Sequence, residues 1–262
     1  MNLNLSGKNA IVCGSTQGLG LASAVELALL GANVTLVARN EESLKEALRK
    51  LDTTKGQIHE YLLADFQYPE QVKKAIEGYM KKGNTVNILV NNTGGPAGGA
   101  AITASTDEFI NTFNSHLICN HILAQAVVPS MKASGYGRII NIISTSVKQP
   151  IPGLGVSNTI RGAVANWSKT LATELGGFGI TVNNVLPGFT RTSRADYVIN
   201  KKAKESGSTP EEVEKMLVQE IPLKRIGQPE EFGAAVAFLC SPAAAYINGV
   251  NLPVDGGRLS CL

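Results

Sequence analysis

Cys13-Gly14-Ser15-Thr16-Gln17-Gly18-Leu19-Gly20 decides how the rest of the chain is read. Before it stands an apolar run, Asn9-Ala10-Ile11-Val12-Cys13, with the length of a short buried strand. After it, Leu21 to Leu30 is rich in alanine and leucine, reads as a helix and stops at Gly31, which suits a left-handed cap. A strand therefore runs into a glycine loop that opens a helix. Gly14 permits the sharp turn, while Gly18 and Gly20 allow close backbone approach to a pyrophosphate and tight helix–strand packing. The helix start offers free N–H groups and the positive end of its dipole to phosphate. With a second strand at Asn33 to Val37, the pattern predicts a dinucleotide site. The plainer reading is a tight turn that uses its glycines for packing alone.

The chain has 262 residues, enough for one large α/β domain with a full core. It is 44% hydrophobic and 17% charged, a globular composition. A net charge of +3 with mixed signs argues against an extended nucleic-acid surface. Cys13, Cys119, Cys240 and Cys261 lack metal-type spacing, and the first three read as packing residues. No metal site is expected. No disulfide framework is expected either, which makes a reducing cytoplasm the expected compartment. Met1 to Leu5 carries no signal-peptide pattern, and no run reaches the ~18 apolar residues of a membrane span.

Strand and helix signals then alternate. Strands are expected at Asn33 to Ala38, Ile58 to Ala64, Val86 to Val90, Arg138 to Ile143, Ile180 to Leu186 and Val250 to Val254. Helices are expected at Glu41 to Lys50, Pro69 to Lys82, Thr106 to about Ser134 (bent or broken by Pro129), Ser157 to Leu175 and Phe232 to Leu239. Residues 190–225 are polar, with helical character in Pro210 to Gln219. This alternation predicts a parallel sheet with helices on both faces and ligands beyond the C-terminal strand ends. The glycine loop, Asp65, Asn91 to Gly94, Ser144 and Pro187-Gly188 all follow strands and so gather on one edge.

The chain resembles the short-chain dehydrogenase/reductase family over nearly its whole length. The resemblance rests on Gly14 to Gly20, Asp65-Phe66, Asn91-Asn92-Thr93-Gly94, Asn141 to Ser144, Pro187-Gly188 and Val254-Asp255-Gly256-Gly257. Pro222 to Glu231 looks like the 3-oxoacyl-carrier-protein reductases of that family. The resemblance implies a single-domain Rossmann fold, a doubly wound parallel seven-stranded sheet, a nicotinamide cofactor and a homotetramer or homodimer. It also implies a substrate lid at about 190–225. Carried over, the cofactor-binding positions of the loop are Gly14, Ser15, Gln17, Gly18, Leu19 and Gly20. Asp65 and Phe66 would meet the adenine, and Asn92, Thr93 and Gly94 the adenosine ribose side. Pro187, Gly188, Thr190 and Thr192 would border the nicotinamide.

The proton relay departs from the family pattern of Asn, Ser, Tyr and Lys. Counting from Trp167 to Ala172 and from Ser144 puts Ser157 at the Tyr position and Arg161 at the Lys position. Counting back from Pro129 and Met131 puts His116 at the Asn position, with Asn114 two residues away. The expected catalytic set is therefore His116, Ser144, Ser157 and Arg161. A phenol, with a pKa of roughly 10, can be pulled toward working pH by a cation, whereas a serine hydroxyl is far too weak an acid. Arg161 keeps the charge and could bond ribose hydroxyls, but stays protonated. The proton would then come from His116, from a lid residue such as Tyr197, or from water held by Ser144 and Ser157. His59 and His121 read as surface and helix residues.

At the end of the second strand, Ala38 is followed by Arg39 and Asn40. No carboxylate stands there to repel a 2′-phosphate, and Arg39 could pair with it, so NADP is expected over NAD. The leading expectation is hydride transfer between nicotinamide and a small-molecule carbonyl or alcohol. The alternatives are a cofactor-binding protein that has lost the relay, and a non-redox lyase or isomerase. The carrier-docking arginines of the reductase subgroup would fall near Gly135 and Phe178, neither of which is basic. Pocket walls are expected at Gly94 to Ala101, at Val147 to Val156 and in the lid.

Overall fold

The computed structural model describes residues 1–261. Seven strands form one sheet: β1 Asn9–Cys13, β2 Asn33–Ala38, β3 Glu60–Leu63, β4 Ile88–Asn91, β5 Gly137–Ile142, β6 Ile180–Pro187 and β7 Asn251–Val254. Their order is β3-β2-β1-β4-β5-β6-β7, and every pairing is parallel. The chain works outward from β1 to β3, then crosses back to lay β4 on β1's other side. The end of β1 is thus the switch point of a doubly wound sheet, where such folds open a crevice.

Helices cover both faces, so β4 and β5 are buried at every position, including the polar Asn91, Arg138 and Asn141. On one face lie α1 Gly18–Leu29, α2 Glu41–Leu48 and α9 Pro229–Cys240, packed through Leu27, Leu36, Leu44 and Phe232. On the other lie α3 Pro69–Lys81, α5 Cys119–Ser134 and α6 Gly155–Leu175, packed through Ile11, Ile76, Leu123 and Ile139. Cys13, Cys119 and Cys240 are free and buried in these cores, and Cys261 is free and exposed. No helix among the described residues is long and apolar enough to cross a membrane.

The expected long helix from Thr106 is interrupted, but not at Pro129. It comprises α4 Thr106–Phe113, a π-helical turn Asn114–Ile118, then α5, which runs straight through Pro129. The N–H that Pro129 lacks would have met the carbonyl of Gln125, and both residues are exposed, so that oxygen is lost to the helix at its solvent side. The third strand is shorter than expected. The Ile58 N–H is claimed by the Asn33 side chain instead of a ladder, and Ile58 is exposed. His59 is not a free surface residue: its Nδ1 accepts from Val34 N–H, and its Nε2 meets the Asp52 carbonyl.

Residues 190–225 contain two helices rather than one, α7 Ser193–Ser206 and α8 Pro210–Gln219. α7 has a Thr192 cap, buried Ala195, Ile199 and Ala203 at four-residue spacing, and Gly207 in the left-handed conformation as its stop. Ile199, Ala203, Val213, Leu217 and Ile226 give the pair a small core of its own.

Candidate active site

A cleft of about 1050 Å³ runs along the C-terminal strand ends. Its floor at the switch point is the glycine loop. Gly14 has φ +55° and Gly18 φ +57°, where L side chains are strained. A Cβ on Gly20 would stand 2.2 Å from the Gly14 carbonyl oxygen, so α1 meets the loop with no room to spare. The Asn92 side chain ties the turn down by donating to the carbonyls of Cys13 and Gly14 at 3.3 and 3.1 Å. Ser15 does not reach the cleft. It is buried, and its Oγ accepts Val37 N–H at 3.1 Å, fastening the loop to β2. Gly20 also stays out of the lining, while Gly14, Gln17, Gly18 and Leu19 are in it.

α1 begins without a side-chain cap, so its first N–H groups remain available to an anion. The Thr192 methyl lies 3.5 Å from where a Gly18 Cβ would stand, which brings the start of α7 over this helix end. Arg39 follows β2, is exposed and lines the cleft. Asp65 and Phe66 line it beyond β3. One Asp65 oxygen accepts Gln67 N–H at 3.0 Å, so this carboxylate shapes its turn while facing the cleft. Asn92, Thr93 and Gly94 line it beyond β4, and Pro187, Gly188, Thr190 and Thr192 beyond β6. Uncapped donors, glycines with no room for a Cβ and a guanidinium at the β2 end fit a phosphorylated dinucleotide.

The inner end is built by side chains. His116 rides on the π-helical turn, is 3% exposed and lines the cleft; Asn114, one candidate for that position, does not. An inserted π turn rotates the helix face, a recurrent device at functional sites. Arg161 extends from α6, is 8% exposed, and donates through Nη1 to the Ile142 carbonyl at 2.9 Å. Its Nε has no partner. Burial pulls this guanidinium down to about 10. His116 is held well below the usual imidazole range, first by burial and then by the Arg161 charge; a hydrogen bond with the Gly94 backbone opposes this. Near neutral pH the pair is therefore a cation beside a neutral ring.

The two serines fall elsewhere. Ser144 Oγ accepts Ser146 N–H at 3.0 Å and caps a short turn, and it does not line the cleft. Ser157 lies in the first turn of α6, which starts two residues earlier than expected, and it is also outside the lining. The helix start is fixed by Gly155, whose Cβ would stand 2.3 Å from the Ala101 nitrogen, and whose N–H donates to the Gly99 carbonyl. That contact ties the segment before Ser157 to the loop after β4. Of the expected walls, Gly94 and the next residues to Ala97 line the cleft, and Val147 to Val156 do not. Tyr197 of the lid segment is exposed and outside the lining. Sequence reasoning missed Arg194, which lines the cleft from α7, and two polar residues, Asn111 on α4 and Ser115 on the π turn. The Thr192 cap and the alanine–isoleucine spacing of α7 would have placed Arg194.

Residues 14–258 match a protein-family model described as enoyl-(acyl carrier protein) reductase. The chain belongs to the short-chain dehydrogenase/reductase family. It is an oxidoreductase of that type. A tropinone reductase homologue of Arabidopsis thaliana is 32% identical over 97% of this chain and 93% of its own length. The 3-oxoacyl-[acyl-carrier-protein] reductase of Rickettsia conorii is 33% identical over 98% of this chain and 99% of its own. L-sorbose reductase from Gluconobacter frateurii, solved with NADPH and L-sorbose, superposes with a TM-score of 0.94 at 33% identity, covering 100% of both chains.

Proposed function

We propose that this short-chain dehydrogenase/reductase is an NADP-dependent enzyme acting on a small carbonyl or alcohol substrate. The observation that carries the reading is one continuous cleft with Arg39 at one end and the buried His116–Arg161 pair at the other. The NADPH-bound sorbose reductase, at TM-score 0.94, supports the same choice. When bound, the nicotinamide supplies or accepts the hydride. The chain's own residues do the rest. The uncapped start of α1 and the Gly14–Gly18 turn receive the phosphates, and Arg39 pairs with the 2′-phosphate. Asp65 and Phe66 border the adenine, Asn92 to Gly94 the ribose, and Pro187, Gly188, Thr190 and Thr192 the nicotinamide. Arg161 and His116 orient the reacting oxygen. Ser144 and Ser157 act behind them by holding the end of β5 and the start of α6. α7 and α8 form the lid.

Titrating the protein with NADPH and with NADH, followed by turnover on a panel of carbonyls and alcohols, tests this. Tighter NADPH binding with turnover is expected. NADPH binding with no turnover would leave a cofactor-binding protein, and no binding would end the reading. The free buried cysteines fit the cytoplasm as its compartment. Ile110 is 55% exposed and Phe113 38% on α4, which favours packing against a second copy in a dimer or tetramer. A monomeric mass by light scattering would contradict that assembly.

A further inference from the structure

The inner end of the cleft holds a cation and no acid. Arg161 is buried, spends one N–H on the Ile142 carbonyl, leaves Nε unpaired and forms no ion pair among the described residues. A buried charge without a counter-charge is costly, and an anion arriving beside it recovers that cost. The other titratable groups lining the cleft are His116, Arg39, Asp65, Tyr68, Glu108 and Arg194. Tyr68, the only phenol among them, and Asp65 follow β3, four strands from the β5 carbonyl that holds Arg161. Arg39 follows β2, and Arg194 projects from α7. Glu108 on α4 is occupied, because its carboxylate accepts the Ser105 N–H at 2.8 Å. His116 is buried within reach of the Arg161 charge, and a neutral imidazole that gave up its N–H proton would become an imidazolate. Neither serine lines the cleft.

We infer that this site carries the reduced oxygen as an anion against Arg161 and takes the final proton from water. Its substrates are then carbonyl compounds whose reduction leaves a weakly basic oxyanion: strongly electron-poor ketones. The inference rests on the reductase reading. In the step, the carbonyl carbon forms a new C–H bond with hydride from the reduced nicotinamide. The C=O π pair moves onto oxygen, and the two electrons gained by the substrate are those lost with the hydride. The oxyanion, held by the guanidinium, then takes a proton from water and leaves hydroxide. An electron-withdrawing group on the carbon that receives the hydride, such as trifluoromethyl, spreads the charge and makes the resulting alkoxide less basic. An ordinary alkoxide is close to hydroxide, whose parent water has a pKa of about 15.7. One fixed cation with no acid therefore discriminates steeply between the two.

The test uses the full chain with NADPH and a graded set of ring-substituted trifluoroacetophenones, acetophenones and benzaldehydes. The expected result is a steep rise in kcat/KM as the product oxyanion becomes less basic, with kcat flat from about pH 6 to 9. Arg161→Met should lower kcat by about 10²–10³-fold, the range for loss of one oxyanion donor. Arg161→Lys should recover part of that loss, and NADPH affinity should hold in both. Rates indifferent to oxyanion basicity would overturn the inference, as would a titrating limb between pH 6 and 9 that reports a protein acid. A loss of NADPH affinity in the Arg161 variants with kcat intact would assign Arg161 to the ribose and overturn it too. The substrate series and pH profile need only the parent protein, so a misfolded variant leaves the test standing. Failure of NADPH to bind the parent is the separate failure of the reductase reading.

Discussion

The two ends of the cleft are built by different physics. At the glycine loop the chemistry is backbone: uncapped N–H groups, positive-φ turns, and contacts so close that no side chain fits. At the His116–Arg161 end it is side-chain chemistry, and each group's behaviour is set by burial and by its neighbour. A backbone site tolerates almost no added atoms and is insensitive to pH. A buried side-chain site tolerates more volume and responds to charge.

Paired glycine substitutions probe that contrast most strongly. Gly20→Ala drives a methyl to within 2.2 Å of the Gly14 oxygen. It should cost about 3 kcal/mol or more, seen as a drop of roughly 6–12 °C in thermal midpoint. Gly95→Ala at the other end places its Cβ 3.8 Å from Arg161 Nη2, an ordinary contact. Its midpoint should stay within the equivalent of about 0.5 kcal/mol. Equal losses from both variants would dissolve the distinction.

Arg39→Asp should weaken NADPH binding by roughly 10²-fold, because it swaps a charge-assisted pair for repulsion. NADH should become the tighter ligand by calorimetric titration. An unchanged preference would remove Arg39 from the cofactor reading.

pH separates the ends by their ionisation. The folded state holds His116 below its ordinary value, so below about pH 6.5 the unfolded chain binds a proton that the native one refuses. The stability from keeping this ring neutral is complete above that pH. It declines by at most about 1.4 kcal/mol per pH unit as the solution is acidified toward the folded value. Denaturant titrations at pH 7.5, 6 and 5 should show the decline, and His116→Asn should lessen its slope. Arg161 also has a depressed value, about 10, so its charge is retained at neutral pH and lost as pH rises through that region.

The smallest effect is expected on the lid surface. Arg191 and Glu214 form a bidentate pair linking the start of α7 to α8, with side chains 39% and 35% exposed. Arg191 lowers the Glu214 carboxyl. Solvent screening limits such a pair to about 0.5 kcal/mol. Glu214→Gln should therefore leave the thermal midpoint nearly unchanged and NADPH affinity intact. A large loss of either would show that the small core of Ile199, Ala203, Val213 and Leu217 does not hold the helices by itself.

The sequence by itself determined the strand–glycine–helix unit, the parallel sheet and most element positions. These depend on local rules: period, glycine conformational freedom and apolar runs flanked by stops. Arg39 and Asp65 were legible for the same reason, since a residue that follows a parallel strand must stand at the carboxyl edge. Tertiary structure decided the rest. The π turn beneath His116 is visible in no single period, because it joins two segments that each read as ordinary α-helix. Ser157 matches its position by counting and falls in the expected helix, yet that helix starts at Gly155 packed on Ala101, and Ser157 is outside the cleft lining. The neutral state of His116 likewise follows from two groups 45 residues apart in sequence being buried side by side. Spacing along a chain carries torsional preference, whereas desolvation and charge act through space, and that distance exists only after the chain has folded.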